Sequence, residues 1–282
     1  MVSSIERTDE YNLPRHTQES SRLDAQHEAY VKIIGFNIHP RIASALPGHA
    51  RIADIGTGTG AWLLDVAKSC PATWTLQGFD MSDAQFPQHE PRVSFDKLNI
   101  LEPIPHELQG QYDLVHLRLL VCGLASGEWE LAARNVLQLL KPGGFVQWHE
   151  SQFRDLMVYQ SVPGVSLDSN KNLIRAILAT LELQGKMLDD VLNLHKTVQA
   201  EGFSGVEVDC FSTERVPAVR RQLNDVQYKA VHFLGRAMTQ DPRFGYSVND
   251  VEAMAARCLE ELKDEKAYYQ WTMRVVTGQR PF

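Results

Sequence analysis

From Arg51 onward the chain alternates short apolar runs with longer segments of helical spacing. Ile52, Ala53 and Ile55 form a run of strand length, and Trp62, Leu63, Val66 and Ala67 then recur at the three- and four-residue intervals of a helix. The same reading predicts strands at 74–79, 93–98 and 113–117, a helix at about 128–140 and a strand at 145–149. It resumes with a helix ending at Gly202, a strand at 206–211, helical segments between about 219 and 262, and a last strand at 271–276, which makes seven strands. Short strands alternating with helices predict an α/β fold, a mostly parallel sheet with helices on both faces.

Two stretches depart from this rhythm. Upstream, Leu23, His27, Tyr30, Ile33 and Ile34 have helical spacing behind the start signal Glu19-Ser20-Ser21, and 40–46 predicts a second short helix. Further on, 153–185 breaks the alternation, with a helical stripe of Leu173, Ile174, Ile177, Leu178 and Leu181 after the turn Pro163-Gly164. The expected organisation is an N-terminal helical cap over 1–48 and one domain over 49–282, with a lid insertion at about 153–185 and a further helical segment at about 217–265. A length of 282 residues accommodates this as one large domain with helical additions.

Composition narrows the partners. The net charge of -7 and a basic cluster no longer than Arg220-Arg221 argue against nucleic acid, which requires a basic stripe. Cys70, Cys122, Cys210 and Cys258 form no CxxC pair, so neither a metal cage nor a disulfide framework is expected. The first residues are polar and no apolar run approaches the ~18 residues of a membrane span, so the expectation is a cytoplasmic protein without membrane attachment, monomeric or homodimeric.

The chemistry concentrates where the first strand meets its helix. Asp54-Ile55-Gly56-Thr57-Gly58-Thr59-Gly60 puts three glycines on the connecting turn, where the missing Cβ atoms let a ligand approach the backbone. Spacing does not choose the ligand, because Gly56, Gly58 and Ala61 also satisfy a dinucleotide fingerprint. Asp54 discriminates: a carboxylate repels a pyrophosphate at this turn but suits the cationic amino group of S-adenosylmethionine. Asp80, at the end of the second strand, is placed to accept ribose hydroxyls, and Asn99, with Leu98 and Ile100 as apolar walls, to hold an adenine.

With these residues in place, the chain resembles class I S-adenosylmethionine-dependent methyltransferases, and among them fungal small-molecule methyltransferases of secondary metabolism. The resemblance covers nearly the whole chain and rests on DIGTGTGAW at 54–62, GFDMSDAQFP at 78–87, YDLVHLRLL at 112–120 and LLKPGGFVQWHE at 139–150. It implies a Rossmann-like sheet of order 3-2-1-4-5-7-6 with strand 7 antiparallel, and a cofactor at the carboxyl ends of strands 1 to 4. Thr57, Gly60, Met81 and Arg118 join the cofactor set, and the segment 11–27 resembles a family element packed over the cofactor mouth, making Tyr11, Arg22 and Gln26 candidate contacts. One departure is Asn99, which stands where these enzymes often carry an acid.

A base is required only for a protonated acceptor. His149, near the end of the fifth strand, is the leading candidate, with Glu150 beside it and His116 on the fourth strand as further choices. The expected reaction is methyl transfer to an oxygen or nitrogen of a small, apolar or aromatic natural product. Alternatives are a non-methylating cyclisation or pericyclic step on the same fold, a non-catalytic regulator, and a nicotinamide-dependent reductase, which Asp54 and the LKPGG element oppose.

Overall fold

A computed structural model describes residues 17–88, 90–186 and 188–282. Nine strands occur among them: β1 (Arg51–Ile55), β2 (Thr75–Asp80), β3 (Val93–Lys97), β4 (Tyr112–Arg118), β5 (Leu140–Ser151), β6 (Met157–Gln160), β7 (Ser204–Ser212), β8 (Ala267–Gln270) and β9 (Thr272–Gln279). The α-helices are α1 (Thr17–Ile34), α2 (Pro40–Ala43), α3 (Ala61–Ser69), α4 (Glu128–Leu139), α5 (Asp168–Leu183), α6 (Asp190–Ala200), α7 (Arg220–Met238) and α8 (Val248–Leu262).

Seven strands form one sheet in the order β3-β2-β1-β4-β5-β9-β7, with β9 antiparallel to both of its neighbours. This is the Rossmann-like order expected, with β7 and β9 corresponding to strands 6 and 7. The seven-strand count omits β6 and β8, which pair antiparallel as a separate two-stranded sheet. Two four-residue strands 110 positions apart leave too short an alternation to stand out from the helical stripe around them. The fifth strand also starts earlier than expected, at Leu140, because the chain turns at Gly143 (φ +77°) and re-enters the ladder beside β4 after a register shift.

Burial explains why β4 is central. Leu114, Val115, His116 and Leu117 are all fully buried, so both faces of the strand are covered. On one side Val115 and Leu117 join the main core with Trp129 and Val136 of α4 and Trp148 of β5. On the other, Leu114 packs with Ile52, Leu76, Trp62 and Leu63 beneath α3. Helices α1 and α3 cover that second face, and α1 also packs on α7. Tyr11 lies outside the described residues.

The segment 153–185 is tied to the helices that follow it through a buried polar contact. Glu261 of α8 accepts the Ser169 amide at 2.8 Å and the Asn170 amide at 3.0 Å, capping the start of α5, whose own N-cap residue Leu167 offers no side-chain bond. Asn170 in turn binds the Cys258 carbonyl at 3.1 Å and accepts from the Tyr269 hydroxyl. Removing this acceptor leaves buried donors unpaired. Glu261→Ala is therefore expected to lower stability by about 2 kcal/mol, and Glu261→Gln by less, in urea unfolding followed by circular dichroism.

Candidate functional site

Register builds the site. In the parallel pairing of β1 with its neighbours, Asp54 stands beside Gly78 on one side and His116 on the other, so Asp54 and His116 project from the same face of adjacent strands. The Asp54 Oδ1 accepts from His116 Nδ1 at 2.7 Å, and its Oδ2 accepts from the Thr57 hydroxyl at 2.7 Å. Thr57 lies within the glycine turn, so the carboxylate fastens the turn to the strand that precedes it. Gly56 takes φ +69°, a left-handed conformation that favours glycine.

The other end of the turn is held by Asp80, whose Oδ2 accepts the Gly58 amide at 3.0 Å and whose Oδ1 accepts the Ser82 amide at 3.1 Å. Asn99 bonds the Leu101 amide through Oδ1 at 3.1 Å, leaving its NH2 group for a ligand. These residues line one cavity of about 1050 Å3 at the carboxyl edge of β1, β2, β4 and β5, together with Gly56, Thr57, Gly58, Met81, Leu98, Ile100, His116, Arg118, Arg22 and Gln26. Arg22 of α1 makes a bidentate, buried pair with Glu19, both bonds at 2.7 Å. The cavity exceeds the usual 300–1,000 Å3 of a single ligand pocket, leaving room for a second molecule beside a nucleoside.

Gly60, His149 and Glu150 lie outside the cavity wall. Gly60 begins α3 one residue behind it. His149 pairs in register with Arg118 and so shares the face of Asp54 and His116, but it is buried behind His116, ring to ring at 4.9 Å and nearly perpendicular. His116 is sandwiched further by the Trp62 indole, stacked at 3.8 Å. Burial holds both imidazoles well below the ordinary histidine range; Arg118 adds to the effect on His116, and His116 itself to that on His149. Both rings are neutral at pH 7, and His116 carries its proton on Nδ1, toward Asp54.

Asp54 feels opposing influences. Burial raises its carboxyl to about 6, and the Thr57 bond and Arg118 pull the other way without prevailing. Arg118 contacts His27 Nδ1 at 3.0 Å, and burial together with that guanidinium pushes His27 down to about 4. The result is a carboxylate that is ionised at neutral pH but poorly compensated, facing the cavity.

Glu150 projects to the opposite face. Its Oε1 accepts the Leu120 amide at 2.8 Å and the Trp148 indole N–H at 2.8 Å. It thereby holds the segment after β4, where Leu119 is kept at φ +59°, an uncommon conformation for a branched apolar residue. Burial pushes the Glu150 carboxyl up to about 8 despite those bonds. Sequence reasoning did not single out the polar lining residues Tyr30, Ser151, Gln152, Lys186 and Gln227. They come from α1, the end of β5, the turn after α5, and α7, and no local motif joins them. Among the described residues no cluster of three or more metal-ligating side chains occurs, and no helix is long and apolar enough to cross a membrane.

A glycine turn between two strand-end carboxylates, opening on a cavity at the sheet's carboxyl edge, defines a nucleoside-binding, doubly wound α/β protein. Residues 26–230 match the family model for the methyltransferase domain, and the chain belongs to that family, whose cofactor is S-adenosylmethionine. Methyltransferase grgD of a Penicillium species is 40% identical over 159 residues, 53% of this chain and 55% of that protein. N-methyltransferase tcpN of Claviceps purpurea is 34% identical over 48% of this chain and 50% of its own length, so these matches span about half of each relative. The fold also superposes, at a TM-score of 0.52 and 12% identity, on a chain from the complex between the Haloferax volcanii Trm112 methyltransferase activator and a methyltransferase, covering 98% of this chain and 99% of that one.

The raised Glu150 group makes stability depend on pH. Its folded value of about 8 lies above the ordinary 4.5, so its contribution is fully present below about 4.5 and is lost as pH rises through about 8. Glu150→Gln does not titrate. Relative to the parent, its urea-unfolding free energy is expected to improve by on the order of 1–3 kcal/mol between pH 5 and pH 8.

Proposed function

We propose that the protein transfers a methyl group from S-adenosylmethionine to an oxygen or nitrogen of a small, largely apolar natural product. The observation that carries this reading is the division of one continuous cavity. Its polar end is the glycine turn with Asp54, Asp80 and Asn99, and the remaining wall includes Leu124, Phe153, Leu156, Leu234 and Trp271. A polar nucleoside end joined to an apolar chamber suits two ligands that must meet.

The side chains fit the cofactor by their chemistry. The under-compensated Asp54 carboxylate faces an ammonium, and Arg118 offers a cation to the neighbouring carboxylate. Asp80, on the cavity wall at the end of β2, stands where the ribose hydroxyls would lie, and Asn99 with Leu98 and Ile100 frames the base, Met81 lying alongside. Glycine at Gly56 and Gly58 permits close approach of the backbone. When bound, S-adenosylmethionine supplies an electrophilic methyl group on a sulfonium centre.

The protein's part is then to position the acceptor and exclude water. His149 is not on the cavity wall, and Glu150 is engaged with the Leu120 and Trp148 donors on the other face of the sheet. His116 is the histidine on the wall, but its Nδ1 is committed to Asp54. With none of the three predicted bases assigned to proton removal, the reading favours an acceptor that enters already unprotonated, as a free amine or an ionised oxygen.

The full chain incubated with methyl-deuterated S-adenosylmethionine and small-molecule extracts of the producing cell is expected to release S-adenosylhomocysteine and label one acceptor, followed by mass spectrometry. A transformed product without consumption of S-adenosylmethionine would point instead to a non-methylating reaction. Calorimetry tests the ammonium site separately. Because Asp54 protonates near pH 6 in the free protein, S-adenosylhomocysteine affinity is expected to fall below pH 6, approaching about tenfold per unit. Asp54→Asn is expected to bind more weakly at pH 8 and to lose that pH dependence.

A further inference from the structure

Lys186 is 2% exposed, yet it belongs to the cavity wall. Its placement is fixed by a local stop signal. Gly185 ends α5 at φ +77°, its amide meeting the Glu182 carbonyl at 3.0 Å, and the Lys186 amide returns to the Leu181 carbonyl at 2.9 Å. In such a helix stop the residue after the glycine ordinarily makes an apolar contact back to the helix. Here that position carries an ammonium. The Gly185 carbonyl accepts the Ser126 amide at 3.0 Å, which fastens the turn to the segment after β4.

The Lys186 Nζ donates to the Gly123 carbonyl at 3.1 Å, and no carboxylate forms an ion pair with it among the described residues. An ammonium has three donors, so a neutral oxygen satisfies neither its charge nor its hydrogen-bonding capacity. Two acidic side chains lie in this region. Glu150, which like Lys186 acts on the Cys122 thiol, is pushed up to about 8 and is largely protonated at neutral pH. Glu128, on the same wall, accepts the Ala125 amide at 2.8 Å. The Cys122 thiol, raised to about 12 by burial, supplies no anion either.

We propose that Lys186 is an acceptor-recognition residue, whose ammonium, aimed by the Gly123 carbonyl, takes an acidic oxygen of the small-molecule acceptor: a carboxylate, or an ionised phenol or enol. Its description as an acceptor site rests on the methyltransferase reading; the anion preference itself does not. Burying a cation without an anion is unfavourable, and a ligand oxygen on Nζ relieves it. The apolar wall of Leu124, Phe153 and Leu156 then selects for an acid attached to a hydrophobic body.

The test is calorimetric and uses the full chain. S-Adenosylhomocysteine is titrated first, as a check of fold and cofactor binding, and 2-naphthoate and 2-naphthol are then compared with their neutral counterparts 2-naphthamide and 2-methoxynaphthalene. At least one acid is expected to bind about tenfold or more tightly than its counterpart. Preference for naphthoate identifies a carboxylate site, and naphthol binding that strengthens with pH identifies an ionised hydroxyl. Lys186→Met is expected to abolish the preference and Lys186→Arg to retain it. Absence of any preference in the parent protein, including no binding of any probe, overturns the proposal, as does a preference that survives in Lys186→Met. If S-adenosylhomocysteine fails to bind, the cofactor reading falls; the four probes, run without it, still decide the anion site by the same comparison.

Discussion

The cavity depends on one buried contact, the Asp54 carboxylate held between His116 and Thr57. Burying an ionised carboxylate costs several kcal/mol unless bonds replace its hydration. Two are supplied, each at 2.7 Å, yet the carboxyl still rises to about 6, so desolvation outweighs them. That imbalance has a structural and a chemical side. Thr57 is bound through Asp54, so the glycine turn is drawn onto the end of β1, where Gly56, Gly58 and Gly60 all take left-handed conformations. Meanwhile the unrelieved charge favours a cation entering from the cavity, and only a small, close one can reach it.

The first half of the sheet was legible because its signals are local. β1, the turn and α3 follow one another within nineteen residues, Arg51–Ser69, and each carries its own pattern: an apolar run, glycines, then helical spacing. Asp54, Asp80 and Asn99 could be placed at strand ends by counting. The small sheet of β6 and β8 was not legible, because its stability comes from pairing distant segments and from Tyr159 stacking on Tyr268 at 5.9 Å, which periodicity cannot see.

The two histidines show a subtler limit. Alternation correctly puts His149 and Glu150 on opposite faces of β5, but it does not say which helix covers each face or how deeply. The His149 face is covered by the segment after α1, where Gln147 bonds the Asn37 carbonyl at 2.8 Å and accepts the His39 amide at 2.6 Å, and His149 does not line the cavity. A residue at the carboxyl edge of the sheet is therefore not automatically at the site. Lys186 is the opposite case: it lies in a helix stop with no catalytic motif, and its one sequence signal is a lysine in the position after Gly185 where an apolar residue is ordinary.

Electrostatics divides the cavity into two ends that need opposite ligands. Asp54 leaves negative charge at the glycine turn, and Lys186 leaves positive charge in the chamber beyond β4. Had they met, each would have quenched the other and the cavity would attract neither charge. What holds Lys186 on target is a relay of neutral contacts: Glu150 at the end of β5 fixes the Leu120 amide, the turn that follows presents the Gly123 carbonyl, and that oxygen receives Nζ. Burial keeps Glu150 largely protonated, and an ionised Glu150 would compete with the ligand for the lysine's field. The same desolvation raises both carboxyls, Asp54 only to about 6, where it stays ionised at neutral pH, and Glu150 to about 8, where it is largely protonated. The difference is set by their surroundings: Asp54 has Arg118 to favour its charge, whereas Glu150 has only neutral donors.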